Sequence, residues 1–81
     1  MSSERLIMQG RLKELQEQRV EAMSEAAGLI ETLRALILPA AVVPLAQLNA
    51  DHVVKQAQNL KTARDRYLDA AEKIAAIEKE L

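Results

Sequence analysis

The sequence predicts an all-α fold, an antiparallel two-helix hairpin that completes a four-helix bundle by dimerising. Three observations predict it. First, apolar residues make up 49% of the chain, yet Tyr67 is its one aromatic. Ala, Leu, Ile, Val and Met beside 28% charged residues make the profile of coiled coils and long helices, not of sheets rich in β-branched and aromatic residues. Second, two arms of similar length carry apolar residues at heptad spacing. Third, the stretch joining them, ALILPAAVVPLAQLNA from Ala35 to Ala50, holds two prolines and no charge.

The first helix is expected over about residues 3–38. One heptad line is Leu12, Arg19, Ala26 and Leu33, and its companion is Met8, Leu15, Ala22, Leu29 and Leu36. Alternating steps of three and four keep both lines on one helix face, and Met23, Ile30 and Ile37 widen the stripe. Ser2 or Ser3 suits the N-cap, and Glu4 suits the positive end of the helix dipole. Pro39 ends the helix, because the residue before a proline is pushed out of the α region.

Residues 39–49 form the apolar connection. With Pro44 at a first helical position, a short helical turn is expected there. Spanning a bilayer takes about 20 apolar residues, so this shorter, twice-broken run is not expected to enter a membrane. Ile37, Leu38, Val42, Val43, Leu45 and Leu48 make it the candidate interaction surface. The plainer role for such side chains is to fold over the bundle end or enter an oligomer interface, since exposed apolar patches usually meet protein.

The second helix is expected over about residues 50–81, with Asn49 as N-cap and Asp51 in its first turn. Val53, Leu60, Tyr67, Ile74 and Leu81 recur at intervals of seven. Ala57, Arg64, Ala71 and Glu78 are taken as their companions, with Val54, Leu68 and Ala75 beside them. Folding back sets Leu36 near Val53, Leu29 near Leu60, Leu15 near Ile74 and Met8 near Leu81. The same register opposes Tyr67 and Arg64 to Ala22 and Ala26, and Arg19 to Ala71, large against small. Met23, Ile30, Ile37, Val54 and Leu68 stay partly wet in a lone hairpin, and Met23, Ile30, Val54 and Leu68 are the candidate oligomer face.

At 81 residues the chain is one small domain, which buries too little surface to be comfortable alone. With no cysteine and one histidine, neither disulfides nor ordinary zinc sites are available as staples. Association remains, and a homo-oligomer, with the dimer favoured, is the simplest closure. Periodicity fits a closed hairpin and an arm-exchanged form alike. Eleven basic and twelve acidic residues leave a net charge of −1, which favours neither nucleic acid nor a polyanion-like tail. The charged N-terminus lacks a signal-peptide core, so cytoplasmic residence is expected.

No catalytic, cofactor-binding or metal-binding set is expected, and the chain is read as a non-enzyme. Arg19 and Arg64 on the stripes suit an anion, but arginines so placed more often lay their stems along the seam. Glu14, Glu17, Glu21 and Glu25 resemble a carboxylate site only superficially, because a di-metal bundle also wants Glu-x-x-His pairs and His52 stands alone. His52 lacks a cleft and a nucleophile, and Ser24 and Thr32 lack a base. Tyr67 suits a seam better than a base-stacking platform, which would want more aromatics and a basic groove. Lys13–Glu17, Lys61–Asp65 and Asp69–Lys73 are spaced as surface helix pairs. Gly10 and Gly28 suit a bend or the close approach of a neighbouring chain.

The opening ERLIMQGRLKEL, the proline-broken bend and the closing IAAIEKEL together resemble small helical proteins of Mu-like prophages. That resemblance implies a bacterial cytoplasmic setting and an accessory role, and supplies no catalytic residues. The expected function is therefore a non-enzymatic protein-interaction or structural accessory module with an unidentified protein partner. The alternative is a small RNA- or DNA-binding regulator built as a hairpin dimer, which requires Arg5, Arg11, Lys13, Arg64 and Arg66 to share one face.

Overall fold

The computed structural model describes residues 2–38 and 45–81, and Val42 and Val43 lie outside them. Helix α1 runs Ser2–Ile37, a 3-10 turn covers Leu45–Gln47, and helix α2 runs Ala50–Glu80. The described residues contain no strand. The expected helical turn after Pro44 is thus present as a short 3-10 turn.

Both long helices follow from local chemistry. Asn49 caps α2 as expected, its side-chain Oδ1 accepting the His52 backbone N–H at 3.1 Å. That bond satisfies one of the four N–H groups that a helix start leaves without a partner. At the other end the Leu81 N–H reaches the Ile77 carbonyl at 3.2 Å and carries the ladder to the last residue. In α1 both Ser2 and Ser3 are already helical, so neither is the cap, and the α-helix stops at Ile37, one residue earlier than expected.

The helices lie side by side in a rod of 65 × 15 × 13 Å. A helix of 36 residues is about 54 Å long. The connection from Leu38 to Leu45 reaches at most about 25 Å, so α2 has to start near the end of α1 and return antiparallel. Glu25 and Arg66 confirm the return with an ion pair of 2.9 Å between residues 41 apart in sequence. That pair sets the register to within about two residues of the expected one, in which Leu15 lies near Ile74, Leu29 near Leu60 and Leu36 near Val53.

The seam of α1 is the expected one. Leu15 and Ala22 are buried, and Met8, Leu12, Arg19, Ala26, Leu29, Leu33 and Leu36 are half-buried, while their neighbours are exposed. In α2 the primary line also holds: Val53, Leu60 and Tyr67 are half-buried and Ile74 is buried. Its companion line needs correction. Ala57, Arg64 and Glu78 are exposed, and the second line is Gln56, Ala63, Ala70 and Ile77, one residue earlier. Both choices satisfy a three–four alternation, but the earlier line holds no charge and the later one would bury Arg64 and Glu78. Arg64 therefore does not oppose Ala26, and Ala63 takes that level.

The core is correspondingly thin. The buried described residues are Leu15, Ala22, Ala63, Ala70 and Ile74, and two of these are larger than alanine. The rest of the seam, including Leu12, Leu29, Leu33, Leu60 and Tyr67, is only half-buried.

Candidate interaction surface

The two flanks of the hairpin differ in kind. One is built by the residue preceding each seam residue, the other by the residue following it. In an antiparallel pair like-numbered flanks lie on the same side, as the Glu25–Arg66 pair shows, since each precedes a seam residue (Ala26 and Tyr67). That preceding flank also carries Arg11, Glu14, Glu21, Asp69, Lys73 and Glu80, all exposed. Its register sets Arg11 level with Glu80 and Gln18 level with Lys73, so it is a solvated face with complementary charges.

The following flank is largely apolar. Met23, Ile30 and Ile37 follow the seam on α1, and Val54 and Leu68 follow it on α2; all are exposed, between 45% and 55% of their full surface. Between the helices an open groove of about 680 Å³ is lined by Met23, Ala27 and Ile30 on one side and Ala57, Lys61 and Arg64 on the other, with Ala22, Ala26, Leu60 and Tyr67 at its floor. All four residues of the expected oligomer face, Met23, Ile30, Val54 and Leu68, thus stand on one flank. Met23 and Ile30 line the groove, and Val54 and Leu68 bracket it along α2.

Lys13 and Arg34 stand on this flank on α1, Lys61 and Arg64 interrupt it on α2, and one carboxylate draws the latter two. Asp65 accepts from Arg64 at 3.0 and 3.3 Å and from Lys61 at 3.3 Å. These hydrogen bonds, from Arg64 first and Lys61 second, hold the Asp65 carboxyl below its ordinary value of 3.8. A carboxyl lowered on folding contributes stability above its unfolded value and loses it as the pH falls through the folded one. The trio is solvent-exposed, so its effect on stability is small. Ala57 and Arg64 line the groove rather than the seam, and the charge-free line through Ala63 is the sequence signal that points to this.

At the bend, Ile37 and Leu38 are exposed and Leu48 is half-buried, while Leu45 opens the 3-10 turn. Ile37, Leu38 and Leu48 stand at the same end of the rod as Ile30 and Val54.

The remaining candidates carry no chemistry in this arrangement. His52 is exposed and touches Asn49 through its backbone alone. Glu14, Glu17, Glu21 and Glu25 are exposed, and Glu25 is taken by Arg66; no group of three His, Asp or Glu suited to a metal ion occurs among the described residues. Ser24 and Thr32 are exposed, and the Thr32 hydroxyl donates to the Gly28 carbonyl at 3.0 Å. Of the expected surface pairs, Lys61–Asp65 and Asp69–Lys73 form, at 3.3 and 3.0 Å. Gly10 and Gly28 would each point a Cβ into open space, so no approach within the hairpin requires them. The cations asked of a nucleic-acid face are divided: Arg11 and Arg66 lie on the charged flank, Lys13 and Arg64 on the apolar one. No described helix is long and apolar enough to cross a membrane.

Comparison of the chain with family models, with curated proteins and with solved structures finds no significant match in any of the three.

Proposed function

We propose that this chain is a non-enzymatic protein-interaction module that self-associates, two hairpins closing into a four-helix bundle in a cytoplasmic setting. The observation that carries the reading is the asymmetry of the flanks. Charges crowd one side, whereas Met23, Ile30, Ile37, Val54 and Leu68 stand exposed together on the other. A largely apolar face on a hairpin with so thin a core is a surface suited to further helices. Water-exposed apolar area of this kind is what association removes, at roughly 25 cal/mol per Å². The likeness of both chain ends to small helical proteins of Mu-like prophages supports an accessory role.

The test is charge placement. Ile30→Glu and Leu68→Glu put a carboxylate on the apolar flank, and Gln18→Glu puts one on the charged flank level with Lys73. Light scattering should show the first two reduced toward the 9.0 kDa single chain with association weakened at least about tenfold, which corresponds to about 1.4 kcal/mol. Gln18→Glu should leave the assembly intact. Equal behaviour of all three would remove the apolar flank from the account.

A further inference from the structure

We infer that the occupant of the apolar flank is a second copy of this chain seated with its bend at the same end, related by a two-fold axis parallel to the helices. The inference rests on the self-association proposed above and adds to it the partner's orientation and register. Two face-to-face arrangements of identical hairpins exist. With the axis along the rod, α1 of one copy faces α2 of the other at equal height. With the axis across the rod, α1 faces α1, α2 faces α2, and the bends point apart.

Heights on the flank are compatible with the first, and charge decides between them. The register set by Glu25 and Arg66 places Ile37 beside the height of Val54, Met23 beside Leu68 and Val20 between Leu68 and Ala71. Val20, Met23 and Ile37 of α1's flank therefore meet apolar residues of the other copy's α2, while Ile30 falls at the height of Lys61. Arg64 falls beside Ala27, large against small. Near the far end of the flank, Lys13 falls at the height of Glu78, and the symmetry makes that opposite-charge pair twice.

The crosswise arrangement fails on charge. Lys61 and Arg64 sit in the middle of α2's apolar stretch, between Val54 and Ala57 on one side and Leu68 and Ala71 on the other. Any antiparallel overlay that covers the apolar residues therefore stacks these cations on their own copies. Asp65 is shared between them, so each trio keeps one net positive charge, and two such trios would meet as water is excluded. The lengthwise arrangement separates the trios to opposite corners of the bundle.

The area suits a dimer. From Lys13 to Ile37 the flank is about 35 Å long, and the rod is 15 Å wide. On the order of 500–700 Å² per copy is covered, close to the ~800 Å² per partner of an ordinary stable interface. The same arrangement brings Ile37, Leu38 and Leu48 of both copies to one end of the bundle.

Because the chain has no cysteine, single spin labels report the orientation directly. Gln47→Cys places one at the bend, and Gly10→Cys places one near the opposite end at a site where added atoms meet open space. Dipolar EPR on each labelled full-length protein should give label–label distances below about 30 Å in both variants, given interaxial spacings of ~8–10 Å. Distances near 50 Å in both, the length of the rod's helices, would overturn the same-end orientation while leaving self-association standing. A monomeric mass with no dipolar coupling would overturn self-association itself.

Discussion

At the scale of single residues, alanine and glycine say the most about how this chain is built. Ala22 and Ala63 are fully covered, at 0% exposure each, in the middle of the rod. Their small size lets two helices meet while Tyr67 and the stem of Arg19 remain half-buried at neighbouring levels. Gly10 and Gly28 are the reverse, exposed and unopposed. A glycine inside a helix costs about 1 kcal/mol relative to alanine through backbone entropy. Gly10→Ala and Gly28→Ala should therefore each raise stability by up to about 1 kcal/mol in urea denaturation. A loss of stability in either would mean that a neighbouring chain approaches the helix at that glycine. The sequence alone left a bend and a close approach both open, because spacing shows which face a glycine occupies and not what stands over it.

Among the elements, α1 was legible almost residue by residue, and α2 was legible along one line and not the other. The difference has a physical cause. In α1 both heptad lines are apolar apart from Arg19, so one face is marked without ambiguity. In α2 the line through Val53, Leu60, Tyr67 and Ile74 admits a companion three or four residues on, since a helix turn is 3.6 residues. The charge-free choice, Gln56, Ala63, Ala70 and Ile77, is the one that packs. A substitution pair checks this assignment. Ala63→Glu puts a carboxylate into the fully covered seam and should cost several kcal/mol or abolish the fold. Arg64→Ala, at an exposed site, should change stability by less than about 1 kcal/mol. A reversed ranking by thermal unfolding would return Arg64 to the seam. The cap at Asn49 was readable from residue type alone, because an asparagine before an apolar-periodic run has a defined bond to make.

For the whole molecule, the hairpin could be read from matched arm lengths around two prolines, and the Glu25–Arg66 ion pair agrees with the return to within about two residues of the expected register. The four residues picked out as wet after pairing, Met23, Ile30, Val54 and Leu68, do share one flank. The groove between them was not legible, since it depends on Arg64 and Lys61 leaning toward Asp65 and on the seam passing through Ala63. What unites these features is a fold short of core: the described residues bury two side chains larger than alanine and leave a broad apolar flank in water. Under the proposed self-association, folding and association are coupled, and helicity and mass should depend on concentration together. The direct test is light-scattering mass across dilution with helical circular dichroism on the same samples. The account predicts a dimer or larger assembly of high helicity, with mass and helicity falling together as the protein is diluted. A fully helical monomer at every concentration would contradict it.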